Sequence, residues 1–316
     1  MLGFEDGHRV IGEAVYFVAQ GGDGAALLLL HGFPETHACW HRIAPRLANT
    51  HRVIAPDLRG YGASEAPPGG PRGEGYTKRE MAAELVELMS ELGHERFAVV
   101  GHDRGARVAY RLALDHPARV ERAALLNVVP TIDQFERMGA GPSLGYWTWF
   151  LLAQPAPFPE RVLLAEPAAF LDHVFATWAS DPGAIAAEHR DTYLRALTPS
   201  TAAAMCADFR ASFHLDREHE ADDRAAGRRI ACPVLLVTGE DETQLVDAPD
   251  VWRPWTTDLT ARQVPGGHFN PEEAHGELAQ ILAEFLDADE PSWAGRRARA
   301  LRGPARPRGG GPDFSC

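Results

Sequence analysis

One aspartate, Asp103, lies in a sequence pattern that can present a side chain as a nucleophile. Asp103 lies between Gly101 and Gly105, directly after the apolar run FAVV and before a helical pattern. Small residues two positions before and after a central residue permit a tight strand-to-helix turn that lifts the central side chain above a sheet. A carboxylate there needs no base to ionise it, and it can attack carbon to form an ester. The alternative interpretation is an aspartate that caps the helix.

Two further motifs could complete the chemistry around Asp103. The segment HGFP follows the run ALLLL, so the backbone amides of Phe33 and Arg104 are expected to converge on one oxygen of Asp103 as an oxyanion hole. The segment GGHF follows a late strand pattern, and its His268 is the expected base that activates water. A nucleophile first and a histidine last is the chain order of α/β-hydrolases.

The elements that must position these residues alternate between strands and helices. Five short apolar runs do not alternate with polar residues, as expected of strands covered on both faces: Ala25–Leu30, Arg52–Ala55, Phe97–Val100, Ala123–Val129 and Val234–Val237. Helical patterns lie between or after them, at Lys78–Leu92, at Arg104–Asp115 and from Glu272 to about Leu286. The alternation predicts an α/β fold with a mostly parallel central sheet flanked by helices.

The strand pattern is interrupted once, which predicts an inserted helical cap. The predicted division is a first core part at 1–130, a helical cap at 131–230, a second core part at 231–290 and a disordered Arg/Gly/Pro-rich tail at 291–316. The cap segment contains Trp147, Trp149 and Trp178 and several prolines but no strand signal. A plain solvated extension is the favoured interpretation of the tail over an anion-binding one.

Composition excludes several classes of partner. The 316 residues are 45% hydrophobic and 24% charged with a net charge of −13, and the tail carries six arginines and one aspartate, which leaves the rest near −18. A protein with so large a negative charge outside its tail should repel nucleic acid and anionic lipid. No apolar run approaches the roughly 20 residues of a membrane span, and the four cysteines have no ligand-type spacing. We expect a soluble, cytoplasmic enzyme with a small-molecule substrate, and a homodimer is an open alternative to a monomer.

Longer motifs give a family resemblance. The segments FPETHACWHRIAP, GHDRGARVAYRLALDHP, YWTWFLLAQPAPFPER, VWRPW and GGHFNPEEA together resemble the fluoroacetate and haloacetate dehalogenases of the α/β-hydrolase superfamily. The resemblance runs from about residue 25 to 287 and implies no metal or organic cofactor. Related epoxide hydrolases and haloalkane dehalogenases share the aspartate turn but typically have Trp after it, where this chain has Arg104.

A 2-halo acid explains the two arginines that follow the nucleophile. Its carboxylate lies beside the carbon under attack and repels the Asp103 anion. Arg104 and Arg107, three apart on the first helical turn, are expected to face one cavity and to neutralise that carboxylate by forked hydrogen bonds. The alternative is surface charge on an arginine-rich helix.

The chain departs from the family where the third catalytic residue is expected. In the segment LNVVPT, Asn127 replaces the acid of the family pattern. An amide can accept a hydrogen bond from an imidazole but cannot stabilise the imidazolium with a charge. After the next strand, Glu242 is the favoured relocated acid and Asp241 the second choice, while a solvated acidic turn is the alternative.

Two departures concern the halide site. The resemblance implies His-Trp and a later Tyr as donors to the leaving halide, but this chain has Thr148-Trp149 and Phe209. Trp149 is the donor that persists, and Tyr146 and Trp178 are further candidates for the pocket wall. We therefore expect chloro- and bromoacetate to be better substrates than fluoroacetate.

Three functions follow from these residues. The first is hydrolytic dehalogenation of short 2-halo acids through an Asp103 ester. The second is epoxide hydrolysis, which uses the same Asp–His pair with phenol donors such as Tyr146 or Tyr193. The third is a ligand binder on the same fold that has lost turnover.

Overall fold

A computed structural model describes residues 1, 3–138, 144–242 and 245–288. Its central sheet has eight strands in the order β1-β2-β4-β3-β5-β6-β7-β8. The strands are β1 (Glu5–Ile11), β2 (Ala14–Gly21), β3 (Ala25–Leu30), β4 (His51–Pro56), β5 (Phe97–His102), β6 (Val120–Leu126), β7 (Val234–Gly239) and β8 (Leu259–Val264). From β4 to β8 across the sheet every pairing is parallel, whereas β1–β2 and β2–β4 are antiparallel. The predicted α/β fold with a mostly parallel sheet is confirmed.

Helices cover the sheet and fill the long connection after β6. Within the described residues the α-helices are α1 (Ala44–Leu47), α2 (Lys78–Glu91), α3 (Arg104–Asp115), α4 (Thr131–Glu136), α5 (Trp147–Leu152), α6 (Phe158–Ala165), α7 (Pro167–Trp178), α8 (Ala187–Ala196), α9 (Pro199–Ala211), α10 (Arg217–Ala225), α11 (Ala248–Trp252), α12 (Asn270–Glu273) and α13 (His275–Leu286). A π-helical turn, Ser212–Asp216, joins α9 to α10. The described chain between β6 and β7 thus forms helices, from α4 to α10, which we call the cap.

The structure corrects two predicted boundaries and adds one hairpin that was not predicted. The predicted strand ending at Val129 ends at Leu126, because Asn127 adopts a left-handed backbone with φ of 52° that a strand does not accommodate. The predicted single last helix is two, α12 and α13, with Ala274 between them in a non-helical conformation. The hairpin β1–β2 was not predicted, since its outer strand is mostly exposed and forms no apolar run.

The core lies on both faces of the sheet, and it fixes the strand ends that carry the site. In β3, β5 and β7 every residue is buried except the first of β3. At about 25 cal/mol per Å² of apolar surface, such burial is the main stabilising contribution to the fold. No helix in the described part of the chain is long and apolar enough to cross a membrane. The predicted tail, 291–316, lies outside the described residues.

Candidate active site

The turn between β5 and α3, which has a strained backbone, presents the Asp103 side chain to a cavity. Asp103 has φ of 44° and ψ of −110°, a conformation rare for a residue with a Cβ. The glycines on either side of it are required because neighbouring backbone atoms leave no room for a Cβ. A Cβ at Gly101 would lie 2.4 Å from the Gly105 carbonyl oxygen, and one at Gly105 would lie 2.3 Å from that of Leu30. The sequence GHDRG therefore folds as the tight strand-to-helix turn that its spacing predicts.

The carboxylate of Asp103 is held from one side. The Phe33 amide donates to Asp103 Oδ2 at 3.2 Å, so one half of the expected oxyanion hole is present. Between the Arg104 amide and the carboxylate, the structure has no hydrogen bond. Oδ1 accepts no hydrogen bond from any described residue.

His268 lies between two carboxylates. Its Nε2 is 4.0 Å from Asp103 Oδ2, and its Nδ1 is 3.9 Å from Glu242 Oε2. Burial alone would lower the pKa of His268, but the two facing carboxylates outweigh it and raise that pKa to about 10. Burial likewise favours a neutral Asp103, yet the facing His268 and the nearby Arg104 hold its pKa well below the ordinary value. The free site thus contains an imidazolium between two carboxylates.

The acid facing His268 comes from the end of β7, not of β6. Glu242 lies three residues after Gly239, the last residue of β7, and is partly exposed in the cavity. Asp241, the second choice from the sequence, is exposed and does not line the cavity. The predicted relocation of the acid therefore has a geometric basis at Glu242.

Asn127 does not face the imidazole in the way the sequence suggested. Its Nδ2 donates to the carbonyls of Gly267 at 3.0 Å and His268 at 2.7 Å, and its Oδ1 accepts from the Gly239 amide at 2.8 Å. Both halves of the amide are thus occupied by backbone. Asn127 fixes the loop that carries His268 and bonds no atom of the imidazole ring.

Two more side chains that the sequence analysis missed hold the same loop. Glu273 accepts from the amides of Gly267 and Phe269 in the histidine loop, and from Ser180 in the cap. The ring of His102 lies 2.7 Å from the His268 carbonyl through Nε2, while its Nδ1 pairs with buried Glu35 at 3.0 Å. The sequence offered one signal for Glu273, its place in the segment GGHFNPEEA.

The expected role of Arg104 in binding the substrate carboxylate requires a correction, because its guanidinium is already hydrogen-bonded to other residues of the protein. Its Nε and Nη2 each donate to the Asp208 carboxylate at 2.8 Å, and Nη2 also donates to Ser212. The guanidinium is fully buried and does not line the cavity. Sequence spacing could not show Asp208, which is 104 residues away in α9. Arg104 thus ties α3 to the cap, with only Nη1 left unpaired.

Arg107 is placed as predicted, at the cavity. It is buried, and its Nη1 donates to the Val129 carbonyl at 3.1 Å and to Thr131 at 3.0 Å. Its guanidinium lies over the Trp149 ring at 4.5 Å from the centroid. Nε has no partner, and no carboxylate within the described ranges forms an ion pair with this arginine. A buried cation without a direct ion-pair partner is costly, so the site is suited to an anionic ligand.

The cavity above the turn is small, with a volume of about 80 Å³, and it is partly open to solvent. It is lined by Asp103, Arg107, Asn127, Gln134, Gly145, Tyr146, Trp149, Thr177, Trp178, Glu242, Leu245 and His268. Of the proposed halide and substrate contacts, Trp149, Tyr146 and Trp178 are here. Gln134 and Thr177 were missed, since single polar residues in a cap helix carry no sequence signal.

Two of the predicted pocket residues lie behind its wall. Phe209 packs edge-on against Phe33 at 5.2 Å and Trp149 at 5.5 Å between ring centroids, and it does not line the cavity. Thr148 is fully buried with no partner for its hydroxyl, and it too is outside the lining. Phe33 contributes its amide, as described above, and its side chain packs in the core.

Donors in the cavity wall are therefore mainly indoles and one phenol. The Trp178 Nε1 is buried without a partner, and its ring packs edge-on against His268 at 5.1 Å between centroids. Burial raises the pKa of Tyr146 to about 12, so its phenol keeps its proton and can donate at neutral pH.

Known proteins resemble this chain over nearly its whole described length. The family model of the alpha/beta hydrolase fold matches residues 25–274. Fluoroacetate dehalogenase from Burkholderia sp is 39% identical over 90% of this chain and 94% of its own. Epoxide hydrolase A from Mycobacterium tuberculosis is 30% identical over 87% of this chain and 94% of its own.

A solved structure agrees with these sequence comparisons. An alpha/beta hydrolase from Nostoc sp PCC 7120 superposes with a TM-score of 0.88 at 42% identity, over 90% of this chain and 99% of that one. The chain therefore belongs to the α/β-hydrolase family, and its predicted resemblance to the fluoroacetate dehalogenases of that family is confirmed.

Proposed function

We propose that this hydrolase removes halide from short 2-halo carboxylic acids. The observation that carries the proposal is Arg107, a buried guanidinium without a carboxylate partner in the described chain, in the same cavity as the Asp103 carboxylate. A substrate that is itself an anion can approach an anionic nucleophile only where a cation offsets the repulsion. The 39% identity to a fluoroacetate dehalogenase supports the same substrate class.

The proposed reaction has two steps. Asp103 Oδ1 attacks the carbon that bears the halogen, the carbon–halogen bond breaks, and halide leaves with its electron pair. Esterification removes the charge of Asp103, and His268 releases to solvent the proton that it carries in the free site. His268 then takes a proton from water, the resulting hydroxide attacks the Asp103 carboxyl carbon, and the Phe33 amide stabilises the oxyanion on Oδ2. The ester bond breaks, and the released 2-hydroxy acid takes the proton back from His268.

The halide preference follows from the donors in the wall. Trp149 and Trp178, whose indoles carry N–H donors, line the cavity with the nucleophile, whereas Thr148 and Phe209 lie outside the lining. Fluoride leaves poorly without donors aimed at it, and loss of one good donor costs roughly 10²–10³ in rate. We therefore infer faster release of chloride and bromide than of fluoride.

Epoxide hydrolysis is the second candidate, favoured by Tyr146 in the cavity wall and by the similarity to epoxide hydrolases. Opening an epoxide needs a proton donor for the departing oxygen, and Tyr146 offers one phenol. The other phenol considered, Tyr193, does not line the cavity. It donates instead to Glu272 at 2.8 Å. A binder without turnover ranks lower, because the Glu242–His268–Asp103 arrangement serves hydrolysis of an ester and has no use in binding alone.

The test is halide release from fluoro-, chloro- and bromoacetate, beside opening of styrene oxide. We expect chloride and bromide release that Asp103→Asn abolishes and that Asp241→Asn, a matched change at an exposed neighbour of Glu242, leaves intact. His268→Gln should release one halide per chain and accumulate a carboxymethyl ester on Asp103, detectable by mass spectrometry of the peptide. Epoxide opening without halide release would replace the proposal by the second candidate, and ligand binding without either would replace it by the third.

A further inference from the structure

A second cluster of chemically active side chains lies where the cap meets the core. His41 follows the short 3-10 helix His37–Trp40, Glu272 is in α12, and His189 is in the cap helix α8. One potential ligand atom from each lies within 4.8 Å of the others. None of the three lines the catalytic cavity.

The separations are close to those of a metal site. His41 Nδ1 is 3.7 Å from Glu272 Oε2, and the potential ligand atoms of the three side chains all lie within 4.8 Å of one another. Ligand bonds of about 2.0–2.2 Å to zinc place neighbouring tetrahedral ligand atoms roughly 3.4 Å apart. Closing the cluster around an ion therefore requires side-chain rotation, including that of His41, whose Nδ1 contacts the Ala38 carbonyl at 3.1 Å.

Unpaired atoms in the cluster point to a missing ligand. Glu272 is 1% exposed, and its Oε2 has no hydrogen-bond partner. The His189 Nδ1 is buried and unpaired as well. Buried polar atoms normally find partners, and each one left unsatisfied costs about 1–3 kcal/mol. A cation would give both atoms a partner at once.

The surroundings suit a bound ion. Tyr193 donates to the other oxygen of Glu272, Oε1, at 2.8 Å, which orients the carboxylate as outer-shell partners of metal ligands do. Burial and the nearby Glu35 carboxylate raise the pKa of Glu272 to about 8, while Arg42 acts on it in the opposite direction. The side chains of His41 and His189 are 20% and 14% exposed, which gives an ion a route from solvent.

We propose that His41, His189 and Glu272 form a divalent transition-metal site of the zinc class that joins the cap to the core. Two imidazole nitrogens with one carboxylate favour zinc and its neighbours over magnesium or calcium, which prefer all-oxygen sites. A water completes a tetrahedral set. Because His41 and Glu272 belong to the core and His189 to α8, an ion bound by all three holds α8 against the core.

The test uses full-length, untagged protein after treatment with a chelator. Co²⁺ is the spectroscopic probe, and Zn²⁺ is measured by its displacement of Co²⁺. We expect one Co²⁺ per chain, with the visible absorption typical of low-symmetry coordination. Zn²⁺ should raise the melting temperature, and a chelator should return it to the metal-free value. Tyr193→Phe should weaken binding by roughly 10–100-fold as loss of an outer-shell partner does, and His41→Ala or His189→Ala should weaken it more.

A matched control separates this site from adventitious binding. His173 is an exposed cap histidine outside the cluster, so His173→Ala should bind Co²⁺ like the parent protein. Absence of stoichiometric Co²⁺ binding overturns the proposal. So does binding that survives in both His41→Ala and His189→Ala, or binding that is lost only in His268→Ala. Folding of each variant is checked by its circular dichroism and its melting temperature without metal.

Discussion

Removing the charge of Asp103 should change His268 from an acid to a base. His268 Nε2 lies 4.0 Å from Asp103 Oδ2, and its pKa is raised to about 10. At an effective dielectric constant of about 20, two unit charges 4 Å apart interact by about 4 kcal/mol. Since one pKa unit corresponds to about 1.4 kcal/mol, Asp103→Asn should lower the pKa of His268 by about three units, to about 7.

This change matters for the proposed mechanism because esterification also neutralises Asp103. With its pKa near 10, His268 is protonated in the free enzyme at pH 7 and cannot accept a proton. Once the nucleophile carries the ester, the facing charge is gone, and His268 becomes a base when a base is needed. Asp103→Asn reproduces that charge state without substrate.

The assay is an NMR titration of the His268 Cε1–Hε1 signal in the parent protein and in Asp103→Asn, with His268→Gln to assign the signal. Glu242→Gln is the matched comparison, since its carboxylate acts on the other ring nitrogen from 3.9 Å. The reasoning is refuted if the pKa of His268 in Asp103→Asn stays within about half a unit of the parent value, a difference of about 0.7 kcal/mol.

Four further changes have defined outcomes. Glu242→Gln should keep the first release of one halide per chain but slow turnover by roughly 10²–10⁴, as loss of support for a general base does; stopped-flow halide release measures both. Arg107→Met should raise KM for chloroacetate and leave that for neutral chloroacetamide nearly unchanged; equal effects on both would contradict carboxylate binding. Asp208→Asn, which leaves a buried cation unpaired, should cost about 3–5 kcal/mol in urea unfolding, against less than about 1 kcal/mol for exposed Asp250→Asn. Asn127→Asp should lower both stability and turnover, because it sets a carboxylate against two carbonyl oxygens; a gain in turnover would contradict the backbone role.

Local sequence was sufficient to predict the strands that carry the site. The run Ala25–Leu30 is β3 as predicted, since a strand buried on both faces is continuously apolar. The turn at Asp103 was predictable because its two glycines act within five residues. The hairpin β1–β2 was not, because an exposed edge strand needs only polar residues and its pairing partners are set by the rest of the sheet.

Long-range partners explain what the sequence could not assign at the site. Arg104 and Arg107 are equivalent by type and spacing, yet one is paired with Asp208 and the other faces the cavity. The difference depends on where α9 packs, and no local pattern encodes that position. For the same reason Thr148 and Phe209 were assigned to the pocket by resemblance, although their side chains lie behind its wall.

The move of the acid from β6 to β7 is a consequence of sheet order. Strands β6 and β7 pair in parallel, so the loops after Leu126 and Gly239 begin side by side at the carboxyl edge. Either loop can therefore present a carboxylate to the same imidazole nitrogen. Glu242 faces Nδ1 from the second loop, so the first loop does not have to supply a carboxylate. Asn127 in the first loop instead hydrogen-bonds the backbone of Gly239 and of His268. An aspartate at 127 could accept from the Gly239 amide, but it has no proton to give the His268 carbonyl. In the proposed mechanism the two substitutions thus depend on each other, since Asn127 at this position leaves Glu242 to supply the charge.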